Sequence, residues 1–327
     1  MGTVLALMEL SRDREVLPSS LEALAVGKMI AEKVGLKLAA LVMGGGIEQA
    51  AESLRAFPTD EVLVVDQPLL EVYQPELYTQ AVEQVCSEIK PDYLVMGETF
   101  QSIDLAPRLA FALDSGLVTG CVDLEFDSGE TLFIKPVYSG NVMAAYAVEG
   151  VPRLATFRSK SFEPAKPGES APSPVRSLAI SLDQSSVKIQ AVEQVLSGNG
   201  HAQGLENAEI VVSGGRGLGG PEGFEILREL ADQLGGALGA SRPPCDLGWI
   251  EPSAQVGITG AIVAPDLYVA VGISGSTQHV GGMEGAKTIV AINDKEDAPI
   301  FKIADYGVAG DYKEVLPQIL EGLGRSK

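Results

Sequence analysis

Histidine is nearly missing from this chain, with 2 in 327 residues; cysteine occurs 3 times, tryptophan once, and aromatics together make up only 6%. Cys86, Cys121 and Cys245 are odd in number, widely spaced and form no CxxC pair. A disulfide framework or a zinc site needs paired ligands at short spacing, so neither is expected, and a reducing compartment suits the composition. No apolar run approaches the ~20 residues that span a bilayer as a helix. The chain enters a strand-like run at once, Thr3 to Met8, so no signal or transit peptide and a cytoplasmic location are expected. Signatures of the GxSxG, HExxH and Walker A kinds do not occur, which removes the usual marks of hydrolytic and P-loop chemistry. Basic residues are scarce as well: 24 Lys and Arg stand against 44 Asp and Glu, a net charge of −20. Such a surface repels nucleic acid and anionic membrane. It serves solubility, or docking to a partner with basic patches.

What the chain does have is 46% hydrophobic residues and 37 glycines. Small apolar residues with few aromatics suit α/β layers joined by tight strand-to-helix turns. In the first half, short apolar runs alternate with helical spacing. Strands are expected at Thr3 to Met8, Leu38 to Met43, Glu61 to Val65 and Asp92 to Met96. Helices are expected at Ser19 to Val34, from the Gly44-Gly45-Gly46 turn to about Ala56, at Pro75 to Ile89 and at Ile103 to Leu113. Ser19 or Ser20 is the expected N-cap of the first helix and Gly35 its stop. This alternation reads as a parallel sheet with helices on its faces.

Beyond Val118 come short extended runs, Val118 to Phe126, Thr131 to Tyr138, Val142 to Ala147 and Arg153 to Arg158, read as strands added to one end of that sheet. Glu163 to Pro174 is a Pro- and Ser-rich connector. One more strand-like run, Val187 to Val192, precedes a boundary expected at Gly198 to Glu206, which divides the chain into 1–204 and 205–327. The second part alternates again: a strand at Ile210 to Ser213, a helix at Pro221 to Leu234, strands at Leu267 to Ile273 and Thr288 to Ile292, and a closing helix at Tyr312 to Leu323.

Two glycine-rich loops follow strands in this second part. Glycine at a strand end permits positive φ and close backbone approach, and the exposed N–H groups bind phosphate oxygens. The first loop, Ser213 to Gly220, carries a G-x-G-x-x-G match at Gly215, Gly217 and Gly220. No acidic residue ends a strand about 20 residues on, as a dinucleotide fingerprint requires, so this is a nucleotide site of another kind or none. The second, Gly272 to His279, ends in one of the two histidines. His279 is either a structural histidine or a donor to a carbonyl that gains charge when a bound ring is reduced. Ser274, Ser276 and Thr277 can donate to phosphate. Between the loops, Pro243-Pro244 stiffen the segment presenting Arg242, whose guanidinium suits an anionic or π-rich ligand, or a plain surface salt bridge.

In order, the stretches VVSGGRGLGG, LGASRPPCDLGW, QVGITG, VAPDLYVAVGISGSTQHVGGM, KTIVAIN and APIFKIADYGVAGD resemble the α subunit of electron transfer flavoproteins over essentially all of residues 208 to 320. A looser likeness extends through Asp104 to Leu113 and Val137 to Phe162. The resemblance implies an N-terminal Rossmann-like parallel-sheet domain that packs on a β subunit, and a C-terminal α/β domain that binds FAD. It implies an electron carrier between flavin dehydrogenases, such as acyl-CoA dehydrogenases, and a quinone oxidoreductase or other reductase. AMP, or a second FAD, belongs to the partner β subunit, so Gly44-Gly45-Gly46 reads as a plain turn.

Carried over by motif, Arg216 and Asn293 lie by the FAD diphosphate. Ser241 and Arg242 lie at the isoalloxazine, with Arg242 over its face. Val256, Gly257, Ile258 and Thr259 border the ring, and the Thr259 hydroxyl sits near N5. Ser274, Gly275, Ser276, Thr277, Gln278 and His279 wrap the diphosphate and ribityl chain, with His279 at the pyrimidine carbonyl, and Asp311 and Tyr312 border the adenosine end. Two departures stand out: Ile258 replaces the family's usual Gln, and Ser276 and Thr277 replace a small and an aliphatic residue. Two other classes compete with a simple carrier: a flavin-bifurcating complex that uses NADH, and a nucleotide-binding protein with no redox role.

Overall fold

The computed structural model describes residues 2–127, 129–138, 140, 142–168, 171–188, 205 and 208–325. The chain divides into two compact units, Met1–Val195 and Leu196–Lys327. Apart from Leu205, the boundary expected at Gly198 to Glu206 lies outside the described residues. So does the run expected at Val187 to Val192 beyond Lys188; Val187 and Lys188 are not in a strand.

In the first unit, β1 (Thr3–Met8), α1 (Pro18–Val34), β2 (Lys37–Gly44), α2 (Glu48–Leu54), β3 (Glu61–Asp66), α3 (Pro75–Ile89), β4 (Tyr93–Gly97) and α4 (Phe100–Ala112) follow the expected alternation. Then come β5 (Leu117–Cys121), β6 (Asp123–Asp127), β7 (Glu130–Val137), β8 (Val142–Tyr146), β9 (Arg153–Phe157) and β10 (Val175–Ser177). Seven strands form one parallel sheet in the order β10–β3–β2–β1–β4–β9–β5. Its continuous apolar runs reflect burial on both faces. Along β1, Val4, Ala6 and Met8 pack with Leu24 and Ile30 of α1. Leu5 and Leu7 face the other way, toward Leu77, Val82 and Val85 of α3 and Leu105 and Leu109 of α4. Each of the Val, Leu, Ile and Met side chains among these contributes about 1.5–3 kcal/mol by leaving water.

Three expectations are corrected in this unit. The N-cap of α1 is Leu17, with Pro18 as the first helical residue, and neither Ser19 nor Ser20 caps it. A proline at that position is preorganised for the helix, and the Ser20 hydroxyl instead accepts the Glu9 N–H at 2.8 Å. Gly35 does stop the helix, with φ 76°. The run Val118 to Phe126 is two strands, β5 and β6, in different sheets. The later strands are not all added to one end of the sheet: β9 inserts between β4 and β5, while β6, β7 and β8 form a separate antiparallel sheet. The short connections of β6, β7 and β8 are tight turns, which impose antiparallel pairing among the three. The edge strand β10 has three exposed residues and no apolar pattern to announce it.

The second unit contains β11 (Ile210–Gly214), α5 (Gly223–Leu234), β12 (Ala237–Ala240), α6 (Arg242–Asp246), β13 (Leu267–Val271), α7 (Thr277–Val280), β14 (Thr288–Asn293), β15 (Tyr306–Ala309) and α8 (Tyr312–Arg325). Its five strands are all parallel, in the order β12–β11–β13–β14–β15. One face is covered by α5 and α8 through Phe224, Leu227, Leu230 and Leu316. The other is covered by irregular chain, through Val256, Val263, Met283 and Ile300. Among the described residues, no helix is long and apolar enough to cross a membrane.

Candidate functional site

Five parallel strands bring their carboxyl ends to one edge of the second sheet. From β11 the chain crosses to β12 on one side, then returns to β13 on the other. Strand order therefore reverses between β11 and β13, the place near which open α/β sheets bind their ligands. Every residue singled out by sequence sits at this edge. Arg216 follows β11, Ser241 and Arg242 follow β12, Ser274 to His279 follow β13, Asn293 ends β14, and Asp311 and Tyr312 follow β15. Val256 to Thr259 join them because the Val256 N–H donates to the Ala240 carbonyl at the end of β12, at 2.8 Å.

The loops after β11 and β13 interlock backbone on backbone. Gly215 N–H donates to Val271 O at 2.8 Å, and Gly217 N–H to Gly272 O at 2.9 Å. A Cβ on Gly215 would lie 2.2 Å from Gly272 O, and Gly272 itself has φ +62°. The G-x-G-x-x-G match is thus a loop-packing device in this fold. Beside it, Gly219, Asn293, Gly310 and Asp311 line a cavity of about 220 Å³. Tyr312 closes one wall by donating its hydroxyl to Leu218 O at 2.9 Å.

Beyond β13 the chain turns outward with its donors unspent. Among the described residues, the N–H groups of Ser274, Gly275, Ser276 and Thr277 have no acceptor. Asn293 holds this loop in shape: its Nδ2 donates to Ile273 O at 2.8 Å while its Oδ1 accepts the Lys295 N–H at 3.0 Å. The Asn293 side chain is therefore a brace for the loop.

Arg242 opens α6, immediately before Pro243 and Pro244. Its Nε donates to Asp246 Oδ2 at 3.1 Å, an exposed i,i+4 pair of the kind worth about 0.3–0.5 kcal/mol. Among the described residues, neither terminal guanidinium nitrogen has an acceptor. Thr259 is exposed, and its hydroxyl accepts from Gln255 Nε2 at 3.0 Å. Ile258 is exposed too, its N–H bonded to Gln278 O at 2.9 Å.

His279 is held from both sides. Its ring is buried, Nδ1 lies 3.0 Å from Val256 O, and Nε2 lies 3.0 Å from the Tyr268 hydroxyl. Burial drives its pKa down to about 4. Both ring nitrogens thus have a partner within the chain. Sequence reasoning passed over Tyr268, which looks like one more apolar position in a strand. It also passed over the buried Ser213, whose hydroxyl bears on that of Tyr268.

Residues 4–183 match the electron transfer flavoprotein domain, and residues 204–284 match the electron transfer flavoprotein FAD-binding domain. The electron transfer flavoprotein subunit alpha of Thermoanaerobacterium thermosaccharolyticum is 39% identical over 318 residues, covering 97% of this chain and 96% of that one. The chain belongs to the electron transfer flavoprotein α-subunit family. Its relative of the same description from Bacillus subtilis is 36% identical over 324 residues, covering 98% and 97% of the two chains. Protein FixB of Clostridium saccharobutylicum is 40% identical over 312 residues, covering 94% and 92%.

The edge fits the family's FAD. A diphosphate needs several donors without a competing acceptor, and the Ser274 to Thr277 N–H run offers them. The Gly219–Asp311 cavity offers room for a polar end group. Exposed Ile258 and the spare donors of Arg242 offer an apolar contact and a positive charge for a reducible ring.

Proposed function

We propose that this chain is the FAD-holding subunit of an electron carrier, with residues 1–204 as the domain that packs on a β subunit and 205–327 as the flavin domain. The carrier takes electrons from flavin dehydrogenases, such as acyl-CoA dehydrogenases, and hands them to a quinone oxidoreductase or another reductase. The observation that carries this reading is the unpaired N–H run from Ser274 to Thr277 at the sheet's switch point. Bound FAD supplies reversible uptake and release of one or two electrons. The protein's residues hold and bias it. Arg216 and the Ser274–Thr277 amides face the diphosphate, with Asn293 keeping their loop in register. Asp311 and Tyr312 border the adenosine end. Ser241, Arg242, Val256, Gly257, Ile258, Thr259, Gln278 and His279 surround the ring and its side chain. The partner β subunit carries AMP or a second FAD.

Purified complex should release one FAD per α chain on acid extraction. Protein without a flavin absorption spectrum refutes the reading and leaves a nucleotide-binding protein with no redox role. An NADH-oxidation assay on the complex separates a simple carrier from a bifurcating assembly, whose nicotinamide site would lie on the partner.

Two substitutions test the bias on the ring. Arg242→Ala removes a positive charge from the flavin edge. A few ångströms of separation at an effective dielectric near 20 gives a Coulomb energy of several kcal/mol, and exposure to water cuts this to roughly 1–2 kcal/mol. The reduction potential should fall by about 45–90 mV for a one-electron step; an unmoved potential means the guanidinium is not at the ring. Ile258→Gln works in the opposite sense. A new side-chain donor to a negatively charged ring should stabilise the reduced state by about 1–2 kcal/mol and so raise the potential. A potential that stays put or drops in the variant refutes the contact.

A further inference from the structure

The first unit has a switch point of its own. Strand order runs outward from β1 through β2 to β3, then returns to β4 on the other side of β1. The carboxyl ends of β1 and β4 therefore mark a place near which open α/β sheets take ligands. A cavity of about 450 Å³ opens there, lined at Met8 and Glu9 after β1, Gly44 and Gly45 after β2, and Gly97 at the end of β4. That is the size of a small-molecule site. It is not built for an anion. Asp66 spends the donors of the Gly44–Gly46 turn: the Gly46 N–H donates to its Oδ1 at 2.8 Å and the Ile47 N–H to its Oδ2 at 3.2 Å. A fixed carboxylate at that turn repels a second negative group. Arg14, also on the lining, is tied to Gly46 O at 2.9 Å and to Glu71 at 3.2 Å. Arg12 is exposed, where water screens its charge.

What the cavity does hold is a carboxylate without a counter-ion. Glu9 is half-buried, and its Oε2 accepts a hydrogen bond from the Thr99 hydroxyl; among the described residues no cation pairs with it. Burial pushes its pKa up, and the Thr99 hydrogen bond pulls it back in part. A carboxylate taken out of water costs free energy unless a cation or several donors meet it. Tyr73 and Tyr78 stand on the same lining, with ring centroids 5.0 Å apart at 66°. Tyr73 donates its hydroxyl to Asp104 Oδ2 at 2.8 Å, and Tyr78 donates its own to Leu70 O at 3.0 Å. With both hydroxyls spent, what they offer the cavity is their rings, and the Glu9 charge is felt at Tyr78. The buried Met8, Met43 and Met96 add polarisable sulfur to the wall. A carboxylate, paired aromatic rings and soft apolar walls are the complement of an organic cation.

We propose that this cavity binds a small organic ammonium ion, whose charged nitrogen sits between Glu9 and the Tyr73–Tyr78 pair and whose carbon chain lies against Met43 and Met96. Such a ligand supplies Glu9 with its missing counter-ion and needs nothing from the Gly44–Gly46 turn. The net charge of −20 draws cations toward the chain from solution, and the cavity selects among them. An inorganic cation gains nothing from the methionines, and among the described residues no group of His, Cys, Asp and Glu side chains could hold a metal ion. The site lies wholly in the first unit and is independent of the flavin reading.

Isothermal titration calorimetry on the full-length chain tests this, at mildly alkaline pH, where Glu9 is ionised, and at moderate salt, which screens surface charge. Putrescine serves as the primary ammonium probe, choline as the quaternary one, and succinate as an anion of similar length. At least one ammonium probe should bind with a Kd of about 1 mM or tighter, and succinate should give no heat. Binding of putrescine alone assigns the ligand's N–H groups to Glu9; binding of choline alone assigns recognition to the rings. Glu9→Gln, which keeps an acceptor for Thr99, should weaken the binding by roughly tenfold or more. Tyr73→Leu, which removes a ring, should weaken it by roughly three- to tenfold. Heat from neither ammonium probe overturns the proposal. So does succinate binding of equal strength, or ammonium binding that Glu9→Gln leaves unchanged, which would place the cations on the acidic surface instead. Should Glu9→Gln fail to fold, Tyr73→Leu carries the test, and binding unchanged in that variant overturns the proposal.

Discussion

Gly275→Ala is expected to strip FAD from the protein and to destabilise the second unit by roughly 2–5 kcal/mol. Gly275 has φ +85°, in the region that costs an L-residue about 1–2 kcal/mol. A Cβ there would lie 2.4 Å from Ile300 N and 2.6 Å from Ile300 Cα, which are backbone atoms that cannot swing aside. Relief requires the loop after β13 to move away from the turn at Pro299–Lys302 and to break the Ile300 N–H bond to Ser274 O at 3.1 Å. Overpacking of this kind costs a further 1–3 kcal/mol, approximately. The loop that moves is the one presenting its free amides to the diphosphate, so stability and FAD retention should fail together. Gly219→Ala is the matched control. Its φ of +81° is similar, but nothing lies within 4 Å of the added Cβ, so a loss of only ~1–2 kcal/mol is expected. Trp249, the single tryptophan, lies in the second unit, and its fluorescence in the flavin-free chain follows that unit's unfolding. Equal melting of the two variants would show that the Ile300 contact is not what confines this loop.

Acid should weaken the second unit by about 3 kcal/mol between pH 6.5 and pH 4, through His279. Its pKa in the folded chain is about 4 against an ordinary 6.5, because burial penalises the charged ring. Below pH 6.5 the unfolded chain binds a proton that the folded chain refuses until about pH 4. Stability is therefore fully present above pH 6.5 and drains away as pH falls through that window. Some 2.5 pH units at ~1.4 kcal/mol each give the magnitude. His279→Asn keeps an N–H near Nδ1 and has nothing to protonate, so its unfolding should lose most of this acid dependence. A wild-type profile that stays flat from pH 6.5 to 4 would show that the imidazole is already charged, or exposed, in the folded protein. The first unit runs the other way through Glu22, which burial pushes up to about 7. That carboxyl binds its proton more readily when folded, so its penalty disappears as pH drops from 7 toward 4.5. Following Trp249 keeps the two responses apart.

The legible parts of this molecule share one cause. Strands such as Val4 to Met8 and Leu38 to Met43 lie in a parallel sheet covered on both faces, so every position must be apolar and the run stands out. The loops after β11 and β13 stood out because positive φ and close backbone contact demand glycine, as at Gly272 and Gly275. Strands β12 and β15 were missed: four residues each, rich in Ala and Gly, they carry no pattern, and neighbours define them. Ser20 looked like a cap by residue type, yet its hydroxyl serves Glu9 because the β1–α1 turn folds back on itself.

By itself the sequence determined the α/β class, the alternation in both halves, the glycine loops and the family, and it named the residues that line the second sheet's edge. Those properties depend on local pattern or on motif order, both of which are written along the chain. Only the tertiary structure decided which donors remain free. The Ser274–Thr277 amides stay unpaired because the loop after β13 turns outward at the point where strand order reverses. His279 has both ring nitrogens engaged because Val256 and Tyr268, 23 and 11 residues away, converge on them. A hydrogen bond is spent or available according to what the folded chain brings within 3 Å, and no spacing along the sequence records that distance.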